Sequence, residues 1–378
     1  MSARPRVIGM LVGDLRRQAD MQTKYGPFFA AFTRRFELVD IYDASLRGLD
    51  RWVNAARVFH FQRKKWKERF FKNVPAFRQR SARARQYLER QRGKYDYVLQ
   101  LGVLFDASLP GQSPQTLIYS DYTAALSALR PEGGRSPFTP VELAQWLGLE
   151  QAAYEQAAKV FVRSRQVLRS LVTDYQIPVD KLVTVGGGVN FTTLPPAGIP
   201  RQPGPPTALF IGSDFHRKGG DILLKAFAGV KTYLPEARLV VVTHSPFDGA
   251  PPPGVEWLVP GWDRKAVEAL YRQADLFVLP SRLETWGDVL LEAMAYEIPC
   301  VGVRGQAMEE IIEHNVSGYL VAPEDPAALC QAMLGLLSRP DLRASFGKAA
   351  RARVAESFTW ERVVDQMADT LTALPAAR

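Results

Sequence analysis

Apolar and polar positions follow two successive α/β rhythms along this chain. In the first, apolar strand-like runs at residues 6–12, 95–101 and 116–119 are each followed by a polar or helical stretch. Residues 142–159 are patterned as a helix and lead to a strand at 160–163; a helix near 165–175 leads to a strand at 182–185. Such alternation predicts a mostly parallel sheet covered by helices. The sequence LPPAGIPRQPGPP, residues 194–206, then breaks the pattern. It holds too much proline and glycine for a helix or inner strand and reads as an interdomain linker. After it the rhythm restarts: strand 208–211, helix 221–230, strand 238–243, helix 264–273, strand 276–279, helix 288–296 stopped by Pro299, strand 301–303. From Asp341 onward the chain reads as helix, with a break near 357–359. The expected fold is therefore α/β, with two Rossmann-like doubly wound domains. Ligands of open α/β sheets bind at the carboxyl ends of the strands, so two such domains facing each other would form a cleft suited to two substrates.

Composition agrees with this picture. A length of 378 residues suits two or three domains. The 47% hydrophobic and 23% charged fractions are those of a globular protein. No apolar run reaches the roughly 18 residues of a membrane span. The apolar stretch at 7–12 is too short for a signal peptide and is followed by Asp14. Cys300 and Cys330 have no metal-site spacing, and a reducing cytoplasm is the simplest context.

Charge changes the picture more. Between Arg51 and Lys94 there are 15 Lys/Arg and two acids, Glu68 and Glu89. The whole chain carries +9, so everything outside this segment sums to −4. One basic segment on a mildly acidic body points to an anionic partner. The same segment holds Trp52, Phe59, Phe61, Trp66, Phe70, Phe71 and Phe77. Two readings stay open: an interfacial element for anionic lipid, or a helical pair with aromatics in the core and a solvated basic face. No nucleic-acid motif is present, and nucleic acid is not an expected partner.

Two segments carry candidate chemistry. The first, GSDFHRKGGD at 212–221, lies between a strand and a helix. Its glycines allow a close backbone approach, and the helix N-terminus presents unpaired N–H groups. Arg217 and Lys218 oppose the helix dipole there, which a bound anion would explain. The second, PSRLETWGDVLLE at 280–292, repeats the arrangement, with Glu284 in the loop and Glu292 one turn inside the helix. Together they could hold a diphosphate without metal, leaving the carboxylates to accept hydrogen bonds from sugar and ribose hydroxyls. Taken alone, each segment also fits an ordinary solvated loop.

The second segment resembles the signature of the family 4 glycosyltransferases, retaining enzymes of the GT-B fold, through Pro280, Ser281, Glu284, Trp286, Gly287, Glu292, Ala293 and Met294. The blocks KVFVRS at 159–164, KLVTVGGGVN at 181–190, EEIIEHNVSGYLV at 309–321 and FTWE at 358–361 are similar to further family landmarks in order. The resemblance covers roughly residues 155–365. It implies an N-terminal acceptor domain at 1–193, a donor domain at 207–356, and a C-terminal helix at 357–378 packing back on the first domain. It further implies that Lys218 binds the donor diphosphate and Glu284 the donor sugar. Backbone groups of Trp286, Gly287, Asp288 and Val289 would hold its phosphate, with Thr285 also on the donor site, Glu292 would bind the nucleotide ribose, and Gly187 and Gly188 would line the donor side. Ser213 stands where the family commonly has a phosphate-binding arginine, and Arg217 is the candidate to supply that charge. Asp288 stands at a usually apolar position. On the acceptor side no histidine occupies residues 118–123, and Asp121 is the candidate polar group. The implied activity is metal-independent hexosyl transfer with retention, from a nucleotide-diphosphate sugar to an unidentified hydroxyl acceptor. No cofactor is expected, and the implied location is cytoplasmic, with peripheral attachment to the membrane face. The alternative is a non-catalytic nucleotide-sugar or lipid-binding protein of the same fold.

Overall fold

A computed structural model describes residues 4–109, 115–129, 136–200, 203–247, 249–259 and 264–372. The chain divides into two compact units, Met1–Asn190 with Trp360–Arg378, and Phe191–Thr359. Of the sequence-predicted linker, Arg201 and Gln202 lie outside the described residues, as do residues 373–378 of the tail.

The first unit is built on β1 (Arg6–Leu11), β2 (Glu37–Asp43), β3 (Tyr97–Leu101), β4 (Gln115–Ser120), β5 (Lys159–Val162) and β6 (Leu182–Thr184). They pair in parallel in the order β2-β1-β3-β4-β5-β6. The helices are α1 (Ala19–Arg35), α2 (Gly48–Arg57), α3 (Arg63–Phe71), α4 (Val74–Arg90), α5 (Ala124–Ala128), α6 (Pro140–Gln156) and α7 (Arg165–Thr173). Two of these starts follow directly from sequence. Thr139 and Glu142 form a reciprocal capping box at α6, and the Ser164 hydroxyl caps α7.

The second unit carries β7 (Thr207–Ile211), β8 (Arg238–Val242), β9 (Val255–Leu258), β10 (Leu276–Val278), β11 (Cys300–Val303) and β12 (Gly318–Val321). Its helices are α8 (Gly220–Tyr233), α9 (Arg264–Gln273), α10 (Asp288–Ala295), α11 (Met308–Ile311), α12 (Pro326–Leu337) and α13 (Pro340–Ser357); α14 (Trp360–Thr372) follows. The parallel sheet runs β12-β11-β10-β7-β8-β9. The chain therefore leaves β7 toward one edge, then returns to β10 beside β7 and proceeds to the other edge. That reversal, between β7 and β10, is the place where an open α/β sheet forms a ligand crevice. The equivalent reversal in the first unit lies between β1 and β3.

The C-terminal helix α14 packs within the first unit. Its Trp360, Val363, Val364, Met367 and Leu371 join Phe28, Phe29 and Phe32 of α1 in one buried cluster. The Trp360 ring meets Phe28 edge-on at 5.3 Å, and the Arg163 guanidinium lies over it at 5.3 Å. Trp360→Ala should therefore destabilise the first unit by about 3–5 kcal/mol. A urea titration comparing the variant with the wild type checks this.

The sequence rhythm omitted the strands β2, β9 and β12 and the helices α1, α5, α11 and α12. The edge strands β2 and β9 contain no buried residue and so lack a continuous apolar run. In α1, Gly26 and Pro27 interrupt the helical signal, yet the apolar face from Phe28 onward is buried. Packing against α14, distant in sequence, outweighs that local cost.

Candidate functional site

The loops after β7 and β10 are locked together at the switch point. Arg282 N donates to Arg217 O at 2.9 Å, and Arg217 Nη1 donates to Leu283 O at 3.0 Å. Ser281 Oγ donates to Leu283 O at 3.3 Å. The Arg282 guanidinium also grips Asp221, in the first turn of α8, through two bonds of 2.7 and 2.9 Å. Burial alone would raise the Asp221 pKa. The Arg282 hydrogen bonds and charge outweigh burial and hold it below the usual carboxylate range.

Gly219 makes the close approach possible. Its φ is +75°, and a Cβ there would lie 1.9 Å from the carbonyl oxygen of Pro280. Gly219 and Gly287 are the N-caps of α8 and α10, and neither helix has a side-chain cap. The first N–H of α8, that of Gly220, donates to Phe215 O at 2.8 Å; no N-cap side chain satisfies the other N–H groups that open either helix.

Lys218 Nζ and Glu284 Oε2 form a direct ion pair, with side chains only 12% and 9% exposed. The two residues, 66 positions apart in sequence, are thus brought together. The Glu284 backbone is fixed at both ends: its N–H donates to Gln306 Oε1 at 3.0 Å, and its carbonyl accepts from Ala307 N at 3.3 Å. Glu292 accepts a hydrogen bond from Tyr271 OH at 3.0 Å. Thr285, Trp286 and Gly287 are buried, and Asp288 and Val289 half-buried, around the start of α10.

Other candidates are placed differently. Arg217 is buried, with part of its guanidinium committed to Leu283, while Ser213 is exposed. The loop consumes hydrogen-bonding capacity of the very arginine that sequence reasoning offered as a second phosphate ligand. Gly187 and Gly188 are buried in the first unit. Gly188 has a packing reason of its own, since a Cβ there would meet the Trp360 backbone nitrogen at 2.4 Å. Asp121 follows β4 and lies 3.6 Å from Lys24 Nζ. It helps line a cavity of about 660 Å³ at the carboxyl ends of β1, β3 and β4, with Lys24, Lys72 and Tyr122. Tyr271, Gln306 and Arg282 were not singled out from sequence. Each acts through a contact between distant segments and leaves no local motif.

The basic segment resolves into α2, α3 and α4. Several α4 arginines are internal staples. Arg80 is buried and donates to the carbonyls of Phe70, Phe71 and Leu104; burial lowers its pKa to about 10 despite the charge of Asp43. Arg83 and Arg85 pair with Asp50 and Asp106. Among the described residues no helix is long and apolar enough to cross a membrane.

Two doubly wound units with these strand orders define a protein of the GT-B fold. A sucrose-phosphate synthase from Thermosynechococcus elongatus superposes with a TM-score of 0.65 at 19% identity, over 98% of both chains. Residues 205–339, which hold both candidate loops, match the family model described as glycosyl transferases group 1. The chain is 28% identical over 264 residues to a D-inositol 3-phosphate glycosyltransferase from Streptomyces scabiei, covering 62% of this chain and 58% of that one. It is 38% identical over 100 residues to an N-acetyl-alpha-D-glucosaminyl L-malate synthase from Bacillus anthracis, covering 26% of each. The chain thus spans less than two thirds of the length of either curated relative.

Proposed function

We propose that this protein is a retaining, metal-independent glycosyltransferase of family 4. It moves a sugar from a nucleotide-diphosphate sugar, bound at the β7/β10 switch point, to a hydroxyl acceptor. The observation that carries this reading is the Lys218–Glu284 pair, set beside two helix N-termini without side-chain caps. A diphosphate would compete with Glu284 for Lys218. It would also gain the N–H groups and dipoles of α8 and α10. Glu284, once released, would accept hydrogen bonds from the donor sugar, and Glu292, aimed by Tyr271, from the ribose.

In the reaction the bond from the anomeric carbon to the diphosphate oxygen breaks, and the acceptor oxygen bonds to that carbon on the same face. The acceptor proton passes to the departing phosphate oxygen. Lys218 and the helix starts stabilise the charge that develops there. The alpha linkage in the name of the malate relative is what retention from an α-linked donor gives. Both relatives' names include a small hydroxyl compound bearing an anionic group. That chemistry suits the Lys24 and Lys72 side of the Asp121 cavity as the acceptor site. The reading places the protein in the cytoplasm with peripheral attachment to the membrane.

The engagement of Arg217 with Leu283 favours one second reading, a nucleotide-sugar-binding protein without turnover. Glu292→Ala tests the donor-binding role that both readings share. If the ribose role is right, calorimetry with nucleoside diphosphates should show affinity weakened about tenfold or more, the worth of a lost charged hydrogen bond. Unchanged affinity would remove Glu292 from the donor site.

A further inference from the structure

We propose that the α2–α3 tip is a docking element for an anionic lipid bilayer. Two structures were compatible with the aromatic and basic sequence of this segment. If the aromatics served a core, they would be buried. Instead Phe61 is 95% exposed, Trp52 74% and Phe59 56%. Leu49, Trp52 and Val53, all exposed, stand at i, i+3 and i+4 and so share one face of α2. The only buried residue of α2 is Asn54, and α3 has none. Phe77 of α4, by contrast, is buried in a core cluster with Trp146. The division between tip and core therefore falls within the basic segment itself.

The tip is held in shape by contacts that do not cover it. Trp66 Nε1 donates to Ala55 O at 2.9 Å, and Asn54 Nδ2 to Phe70 O at 3.0 Å, joining α3 to α2. The Phe59 ring meets Phe61 at 5.4 Å and Trp66 at 5.5 Å, both edge-on. The result is a fixed aromatic knot facing solvent. A grouped set of exposed large apolar side chains marks an interaction surface.

Charge decides the partner. From residue 51 to residue 67 there are six basic side chains and no acid: Arg51, Arg57, Arg63, Lys64, Lys65 and Lys67. All six are exposed, unlike the stapled Arg80 of α4. Aromatic rings with basic side chains around them match the two layers of a bilayer surface. The rings suit the headgroup–acyl boundary and the cations suit anionic headgroups. Single-stranded nucleic acid could stack bases on the rings, but the exposed aliphatic Leu49 and Val53 on the same face of α2 offer no stacking platform and suit a lipid phase. Lys64 and Lys67 of α3 also line the cavity that holds Asp121. On the acceptor reading of that cavity, one helix serves both the docking surface and the acceptor wall, which fits an acceptor carried in the membrane.

The test is co-sedimentation of the full chain with phosphatidylcholine vesicles, with and without phosphatidylglycerol. The protein should pellet with the anionic vesicles at low salt and release as salt screens the charges. Phe61→Ser, whose ring is almost wholly exposed, and Lys64→Glu/Lys65→Glu should each weaken binding about tenfold or more while leaving thermal unfolding unchanged. Absence of binding to anionic vesicles at low salt would overturn the proposal. So would equal binding by Phe61→Ser, or binding to single-stranded nucleic acid without binding to vesicles. None of these outcomes depends on sugar transfer, so the docking proposal and the glycosyltransferase reading fail separately.

Discussion

Glu284→Gln is expected to lower kcat for sugar transfer by about 100- to 1,000-fold, the usual loss when one preorganised electrostatic group is removed from a transition state. The direction of the donor KM is more diagnostic than the size of the loss. Glu284 holds Lys218 in an ion pair, and both side chains are mostly buried. In the proposed reaction a diphosphate draws Lys218 away from that carboxylate. Neutralising Glu284 removes the competitor, so the donor KM should stay level or fall while kcat collapses. Lys218→Met should behave differently. It removes the proposed diphosphate ligand and breaks the ion pair with Glu284, so kcat should fall and KM rise. Breaking a buried pair by removing one partner costs about 3–5 kcal/mol of stability. Unfolding should therefore be followed beside the kinetics, and the Glu284→Gln/Lys218→Met double variant should lose less than the sum of the singles. Turnover unchanged in both single variants would sink the roles assigned to this pair.

Gly219→Ala is the second large effect, and Gly305→Ala is its internal control. Both glycines have φ of +75°, so an alanine at either meets the same backbone strain. That strain amounts to about 1–2 kcal/mol. They differ in space: a Cβ at Gly305 has nothing within 4 Å, whereas one at Gly219 would strike the Pro280 carbonyl at 1.9 Å. Gly305→Ala should lose only modest stability and keep its activity. Gly219→Ala must push the β10 loop away from α8. That loop carries Arg282, Leu283 and Glu284, so the Lys218–Glu284 geometry shifts with it. Displacement by about 1 Å can cost roughly 100-fold in rate. Equal activity in the two variants, measured as donor turnover, would show that the clasp between the loops does not set the site.

The sequence carried different parts of this account unequally. Most buried strands were legible because each is a short apolar run, and 208–211 and 276–279 lie within a residue of β7 and β10; β12, which opens on Gly318, was not. The side-chain caps Thr139 and Ser164 are local as well, but apolar rhythm alone does not use them and starts the first of these helices two residues late, at 142. The order of strands was not legible, and that order is what brings the Lys218 loop beside the Glu284 loop. Arg217 shows the limit most clearly. Its position near a helix start suggests a ligand for a bound anion, but only the fold reveals that its guanidinium donates to Leu283. Tyr271 and Gln306 were invisible for the same reason, since their roles exist only across segments. The basic segment was read as one unit because composition has no direction. Burial separates it into stapled arginines on α4 and an exposed tip on α2 and α3.

The β7/β10 switch point is the proposed place where a nucleotide-diphosphate sugar is bound and activated. Release of nucleoside diphosphate from a panel of nucleotide sugars, with a lipid and glycan extract as acceptor, tests this assignment most directly. The wild type should consume at least one member of the panel, and Lys218→Met and Glu284→Gln should consume it about 100-fold or more slowly. A panel left wholly intact by the wild type, or consumed equally by the variants, would contradict the assignment.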